Sequence, residues 1–144
     1  KIPTVKANGE IVAGQLIGAD NISVFLLSDK NFIFSLNKAG KFHRLSIRFD
    51  SPDCTGQAYF YIDIDDEGEE ILNVWDERAT GKLFFYYPDA ETVSIASTLY
   101  INDSWNPGCT PGFSDSGLFY PMYPNAPAIT GVQNSYTRPI TVER

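Results

Sequence analysis

The sequence predicts an all-β fold, and three observations carry that prediction. β-Branched and aromatic runs recur about every eight to twelve residues. Gly, Asn, Asp and Pro punctuate the gaps between those runs, and no window keeps apolar residues at the three and four spacing that a helix requires. The expected architecture is a single antiparallel β-sandwich of jelly-roll or immunoglobulin type, with about ten short strands and a barrel as the alternative. One extracellular domain is expected to span residues 1–144. A chain of this length buries roughly 70% of the surface that its unfolded form exposes, enough for a core without metals.

The strand runs follow in order as Glu10 to Ile17, Ile22 to Ser28, Phe32 to Asn37, Phe42 to Phe49, Gln57 to Asp65, Glu70 to Trp75, Lys82 to Tyr87, Thr92 to Ile101, Gly117 to Tyr120 and Tyr136 to Val142. Ala7-Asn8-Gly9, Ser28-Asp29-Lys30-Asn31 and Asn37-Lys38-Ala39-Gly40 supply turn residues that accept positive φ or close side-chain turns. In the fifth run Ala58, Phe60, Ile62 and Ile64 alternate with Tyr59, Tyr61, Asp63 and Asp65, so the first set faces the core. In the fourth, Leu45, Ile47 and Phe49 alternate with Arg44, Ser46 and Arg48. Matching the apolar faces pairs Phe49 with Ala58, Ile47 with Phe60, Arg48 with Tyr59 and Arg44 with Asp63. His43 falls on the side of Leu45 and Ile47. Thr92 to Ile101 reads as one long central strand with Val93, Ile95, Leu99 and Ile101 inward. Seven of the nine prolines lie from Pro88 onward, and Pro121 to Pro127 reads as an extended surface segment, because proline cannot donate to a central ladder.

Charge and composition exclude several functions. Eighteen acidic against eleven basic residues give a net charge of −7, which disfavours nucleic acid and anionic membranes, and the sequence contains no basic cluster. The longest apolar run, Val24 to Leu27, is far below the roughly 20 residues that cross a bilayer, so no membrane insertion is expected. Lys1-Ile-Pro-Thr is not a signal peptide, and it is compatible with a processed signal or an upstream region removed.

Catalysis is not expected. The single histidine, His43, would have to serve any Ser-His or Cys-His arrangement, and no Gly-x-Ser-x-Gly elbow is present. One histidine and two loop cysteines make a poor zinc set. Asp63, Asp65 and Asp66 open like a calcium loop with Gly68 at the sixth position, but Val74 occupies the twelfth, where a bidentate Glu belongs. That leaves a non-EF calcium site in a hairpin turn, set against a solvated acidic turn; no other cofactor is expected. Paired carboxylates for glycoside hydrolysis could come from Asp63, Asp65, Asp76, Glu77 or Asp115, and sequence supplies no separation for them.

Cys54 and Cys109 both lie in turn-rich loops, and with one partner each they favour a disulfide and an oxidising compartment, the alternative being two free surface thiols. Tyr59, Tyr61, Phe84, Tyr86, Tyr100, Trp105 and Tyr123 include more rings than one core face uses, and Tyr59, Tyr61 and Trp105 are the candidate binding surface. Asn21-Ile-Ser23 and Asn102-Asp-Ser104 match the glycosylation sequon.

Three strings, Val5 to Ile17, Phe49 to Tyr59 with Cys54 inside it, and Val93 to Ser97 ahead of the Cys109 loop, together resemble bacterial secreted β-domains at the C-terminal ends of collagen-like or phage-tail-like fibrous surface proteins. The resemblance implies a disulfide-linked, secreted or cell-surface module acting as a tip, adhesive head or assembly unit. It brings no catalytic residues, and the chain has no Gly-X-Y stalk. The expected partners are a surface glycan or protein, or the chain itself in a trimer or filament.

Overall fold

A computed structural model describes residues 2–62, 72–102, 108–112 and 117–144. The chain is mostly β. Its strands are β1 (Thr4–Ala7), β2 (Glu10–Ile11), β3 (Gln15–Ala19), β4 (Ser23–Leu27), β5 (Ile33–Asn37), β6 (Arg44–Leu45), β7 (Arg48–Phe49) and β8 (Ala58–Tyr61), then β9 (Val74–Glu77), β10 (Leu83–Phe85), β11 (Val93–Ile95), β12 (Tyr100–Asn102), β13 (Cys109–Pro111), β14 (Gly117–Pro124) and β15 (Ile140–Glu143). One short helix, α1 (Pro127–Thr130), precedes β15; it starts on a proline at its first turn and ends on Gly131 in the left-handed region.

Among the described residues three sheets result. Two have three strands, in the orders β15-β1-β2 and β3-β4-β5, and the large one runs β13-β12-β7-β8-β14-β10-β9-β6, with β11 also pairing β14. The turn at Asn8 and Gly9, both at positive φ, joins β1 to β2 as its residues predict. The expected pairs Phe49 with Ala58 and Arg48 with Tyr59 are present.

Four expectations are corrected. The Phe42 to Phe49 run is two strands, and β6 leaves the hairpin to pair in parallel with β9, so Arg44 lies opposite Asp76 and the sheet is not purely antiparallel. Asp63, its expected partner, lies outside the described residues. Glu10 to Ile17 divides at Gly14, whose φ of 127° interrupts the strand. Thr92 to Ile101 is also two strands, β11 and β12, which pair with different neighbours; Val93 is exposed while Leu99 is buried.

The fourth correction concerns the prolines. Pro121 and Pro124 sit inside β14, an eight-residue strand between β8 and β10, with Met122 buried beside them. Hydrogen-bond parity explains the tolerance. Ile62 N–H donates to Leu118 O at 3.0 Å, so even-numbered residues of β14 direct their backbone groups toward β8 and odd-numbered ones away from it. Pro121 therefore turns its missing donor away from β8, at a point between the residues paired with β11 (117–119) and those paired with β10 (123–124). Pro124 turns its own toward β8, beyond the end of that strand. Neither removes a ladder bond.

Two apolar clusters fill the molecule, on opposite faces of β9 and β10. Val74, Leu83 and Phe85 join Val5, Leu26, Phe34, Leu36 and Ile140 from the smaller sheets. Trp75, Phe84 and Tyr86 join Ile47, Phe49, Ala58, Phe60 and Met122. Within the second cluster, Phe60 on β8 meets Trp75 on β9 at 5.5 Å between ring centroids, and Phe49 on β7 meets Phe84 on β10 at 5.9 Å. Each pair is three strands apart, about 14 Å in a flat sheet. The large sheet therefore curls around this cluster.

Candidate functional site

The curl leaves an open mouth where β8 and β10 begin and β7, β9, β12 and β14 end, and a cleft of about 930 Å³ occupies it. That volume falls within the roughly 300–1,000 Å³ of ordinary ligand sites, for which barrel mouths are a common location. Phe49, Ala58, Phe84 and Met122 form its apolar floor.

One wall is the loop from Asp50 to Gln57, built by its own side chains. Gln57 N–H donates to Asp50 Oδ1 at 2.8 Å, and Ser51 Oγ accepts from Gly56 N–H at 2.9 Å while donating to Asp53 Oδ1 at 2.6 Å. Thr55 Oγ1 also donates to Asp53 Oδ1, at 2.7 Å, and the Ser51 and Thr55 hydroxyls hold the Asp53 carboxyl below its ordinary value. A Cβ at Gly56 would stand 1.9 Å from Asp50 Oδ1, so a larger residue there would have to displace the carboxylate that Gln57 N–H holds. The Cys54–Cys109 disulfide, with Cα atoms 5.8 Å apart, closes this wall, and Cys54 takes a positive φ of 58° to reach it. Cys109 lies opposite Asn102, and β12 pairs with β7 just ahead of the loop, so the strand order itself brings the two cysteines together.

Glu77, only 3% exposed, closes the opposite side. Thr80 Oγ1 donates to its Oε1, and Asn102 Nδ2 approaches both carboxylate oxygens, at 3.3 and 3.2 Å. The disulfide thus anchors β13, β13 registers β12, and β12 ends on the amide that steadies Glu77. Asn125 and Asn134 edge the cleft near the end of β14, with Asn125 Nδ2 donating to Val132 O and to Asn134 Oδ1 at 2.9 and 3.0 Å. Gln57 Nε2 donates to Ala58 O and Met122 O at 3.1 and 2.8 Å. The side-chain amide donors of Gln57, Asn102 and Asn125 and the hydroxyls of Ser51, Thr55 and Thr80 are engaged within the protein, while the Lys82 ammonium also lines the cleft.

The sequence-derived binding residues lie elsewhere. Tyr59 and Tyr61 project from the face of β8 opposite Ala58 and Phe60, flanking Phe119 at 6.1 and 5.4 Å. The Arg48 guanidinium sits 4.9 Å from the Tyr61 ring centroid, and burial pushes the Tyr59 hydroxyl up. Trp105, Asp63, Asp65, Asp66 and Asp115 lie outside the described residues, so the third ring and the calcium loop have no structural account; among the described residues no group of three or more acids, histidines or cysteines could hold a metal. Phe84 and Tyr86 are core residues. His43 stands edge-on to Trp75 at 5.6 Å, with Nδ1 3.4 Å from Ser35 Oγ. Glu77 was visible only as one of five unspecific carboxylates, and Asn102 only as a sequon. The signal that singles them out is register, which sequence does not carry. Among the described residues no helix is long and apolar enough to cross a membrane. The chain matches no family model, no curated protein and no solved structure.

Proposed function

We propose that this chain is a non-catalytic binding module of an extracellular surface or fibrous protein, and that its cleft takes a glycan. The observation that carries the reading is the cleft itself: an apolar floor under walls whose amide and hydroxyl donors are engaged internally, so that a ligand donates hydroxyls to Glu77, Asp53 and Gln57 and accepts from Lys82. A sugar ring offers that combination of an apolar face and hydroxyl donors. The disulfide suits an oxidising, secreted setting, and we take the curled sheet and the β3-β4-β5 sheet as the two layers of a sandwich. Binding of the purified chain to an array of neutral and charged glycans tests the reading. Retention of at least one glycan is expected, weakened about ten-fold by Glu77→Gln. A blank array, or hits indifferent to that substitution, would remove it.

A second reading, self-assembly into a trimer or filament, draws on the opposite face. Tyr61, Tyr87 and Tyr123 expose 39%, 39% and 38% of their surface there. Light scattering separates the two: a strict monomer across a wide concentration range counts against assembly. A melting temperature indifferent to chelator would dispose of calcium.

A further inference from the structure

A chain of net charge −7 nevertheless concentrates positive charge at one place. Lys41, His43, Arg44 and Arg78 line a shallow pocket of about 370 Å³, with Asn37 and Phe42 beside them and no carboxylate among its described lining residues. They are brought there from separate segments. Asn37 closes a turn on Lys41, its N–H donating to Lys41 O at 2.9 Å and its Oδ1 accepting from Lys41 N–H at 3.0 Å. His43 and Arg44 follow directly, and the parallel pairing of β6 with β9 carries Arg78 alongside, its N–H donating to Leu45 O at 3.0 Å.

Among the described residues two acids, Asp76 and Asp20, stand near the three cations without lining the pocket. Asp76 Oδ2 is 3.9 Å from Arg44 Nε and belongs to a buried residue behind the pocket. Asp20 Oδ1 accepts from the Ile22 and Ser23 N–H groups at 2.8 and 2.7 Å. Two guanidinium groups and an ammonium that line one pocket, with no carboxylate among its described lining residues, match the multiple acceptor oxygens of a tetrahedral oxyanion. We propose that this pocket binds a sulfate or phosphate group, free or carried on a polymer, at a site separate from the cleft.

The test is amide chemical-shift titration of the folded chain at low ionic strength with inorganic sulfate and inorganic phosphate, repeated with a sulfated and a phosphorylated oligosaccharide. Amides of residues 41–44 and 78 should move. Lys41→Gln and Arg78→Gln, both at exposed positions, should each weaken binding about ten-fold, added sodium chloride should weaken it further, and Lys30→Gln, exposed between β4 and β5 and outside both pockets, should leave it unchanged. Displacement of the inorganic ion by an oligosaccharide identifies the carried group as ligand; inorganic ion without displacement identifies the free ion. Absence of shifts with every probe, or equal losses in the Lys41, Arg78 and Lys30 variants, overturns the assignment.

Discussion

Asp76 and Glu77 are consecutive on β9, and because a strand alternates its faces they meet opposite environments. Asp76 faces the cluster built with the smaller sheets. Its Oδ1 is buried without a hydrogen-bond partner among the described residues, and burial pushes its carboxyl up despite Arg44 and Lys41 nearby. Glu77 faces the curled sheet at its mouth, where Thr80 and Asn102 donate to it. An acid at the closed face is a by-product of pairing β9 with β6; an acid at the open face is held in place by two other elements. Supported polar groups, more than buried ones, mark the end of this molecule that holds the cleft.

The largest effects should come from the two clusters themselves. Trp75→Ala and Phe34→Ala, at positions 1% and 0% exposed, should each cost about 3–5 kcal/mol in denaturant unfolding, but only Trp75→Ala should also impair glycan binding. Equal loss of binding in both would erase the distinction between the faces. Next comes the disulfide. Replacing both cysteines by Ser opens a link across 55 residues and should cost about 4 kcal/mol in the chain-entropy model. Hydrogen exchange should then accelerate in β7, β8 and β12 well before β4 and β5, and uniform acceleration would contradict that division.

The paired acids give the sharpest test. Glu77→Gln should destabilise by about 1–3 kcal/mol, since it confronts two donors with a partly donating group. Asp76→Asn should be close to neutral at pH 7 and should change the pH profile. A carboxyl raised in the folded state contributes stability that is fully present below its ordinary range and is lost as pH rises through its raised value. Melting temperatures of Asp76→Asn should therefore lack that acid-side gain; an unaltered profile would acquit Asp76. Smallest is Tyr61→Leu, which removes the contact with Arg48 and should cost about 0.5–1 kcal/mol by thermal unfolding.

The fold class was legible because alternation is local: Ala58 and Phe60 inward, Arg48 opposite Tyr59, and the Asn8-Gly9 turn all follow from neighbours in the chain. The breaks in the Phe42 to Phe49 and Thr92 to Ile101 runs were not, because a strand changes partners for reasons that lie in distant segments. The disulfide was anticipated from loop composition, yet its role as a wall of the cleft needed the β7-β12-β13 register. Arg78 likewise lies far from Lys41 and Arg44 in sequence and joins them only through a parallel pairing that the hydrophobic pattern does not announce.

The two prolines of β14 have a consequence beyond their own tolerance. β14 meets β11 along its first residues and β10 along its last, and Pro121 stands at the fork. An incoming strand from another copy, seeking to zip along that side of β14, would find its rung missing there. The fork thus acts as a lock on strand exchange, keeping the sheet's branches apart without a charged gatekeeper.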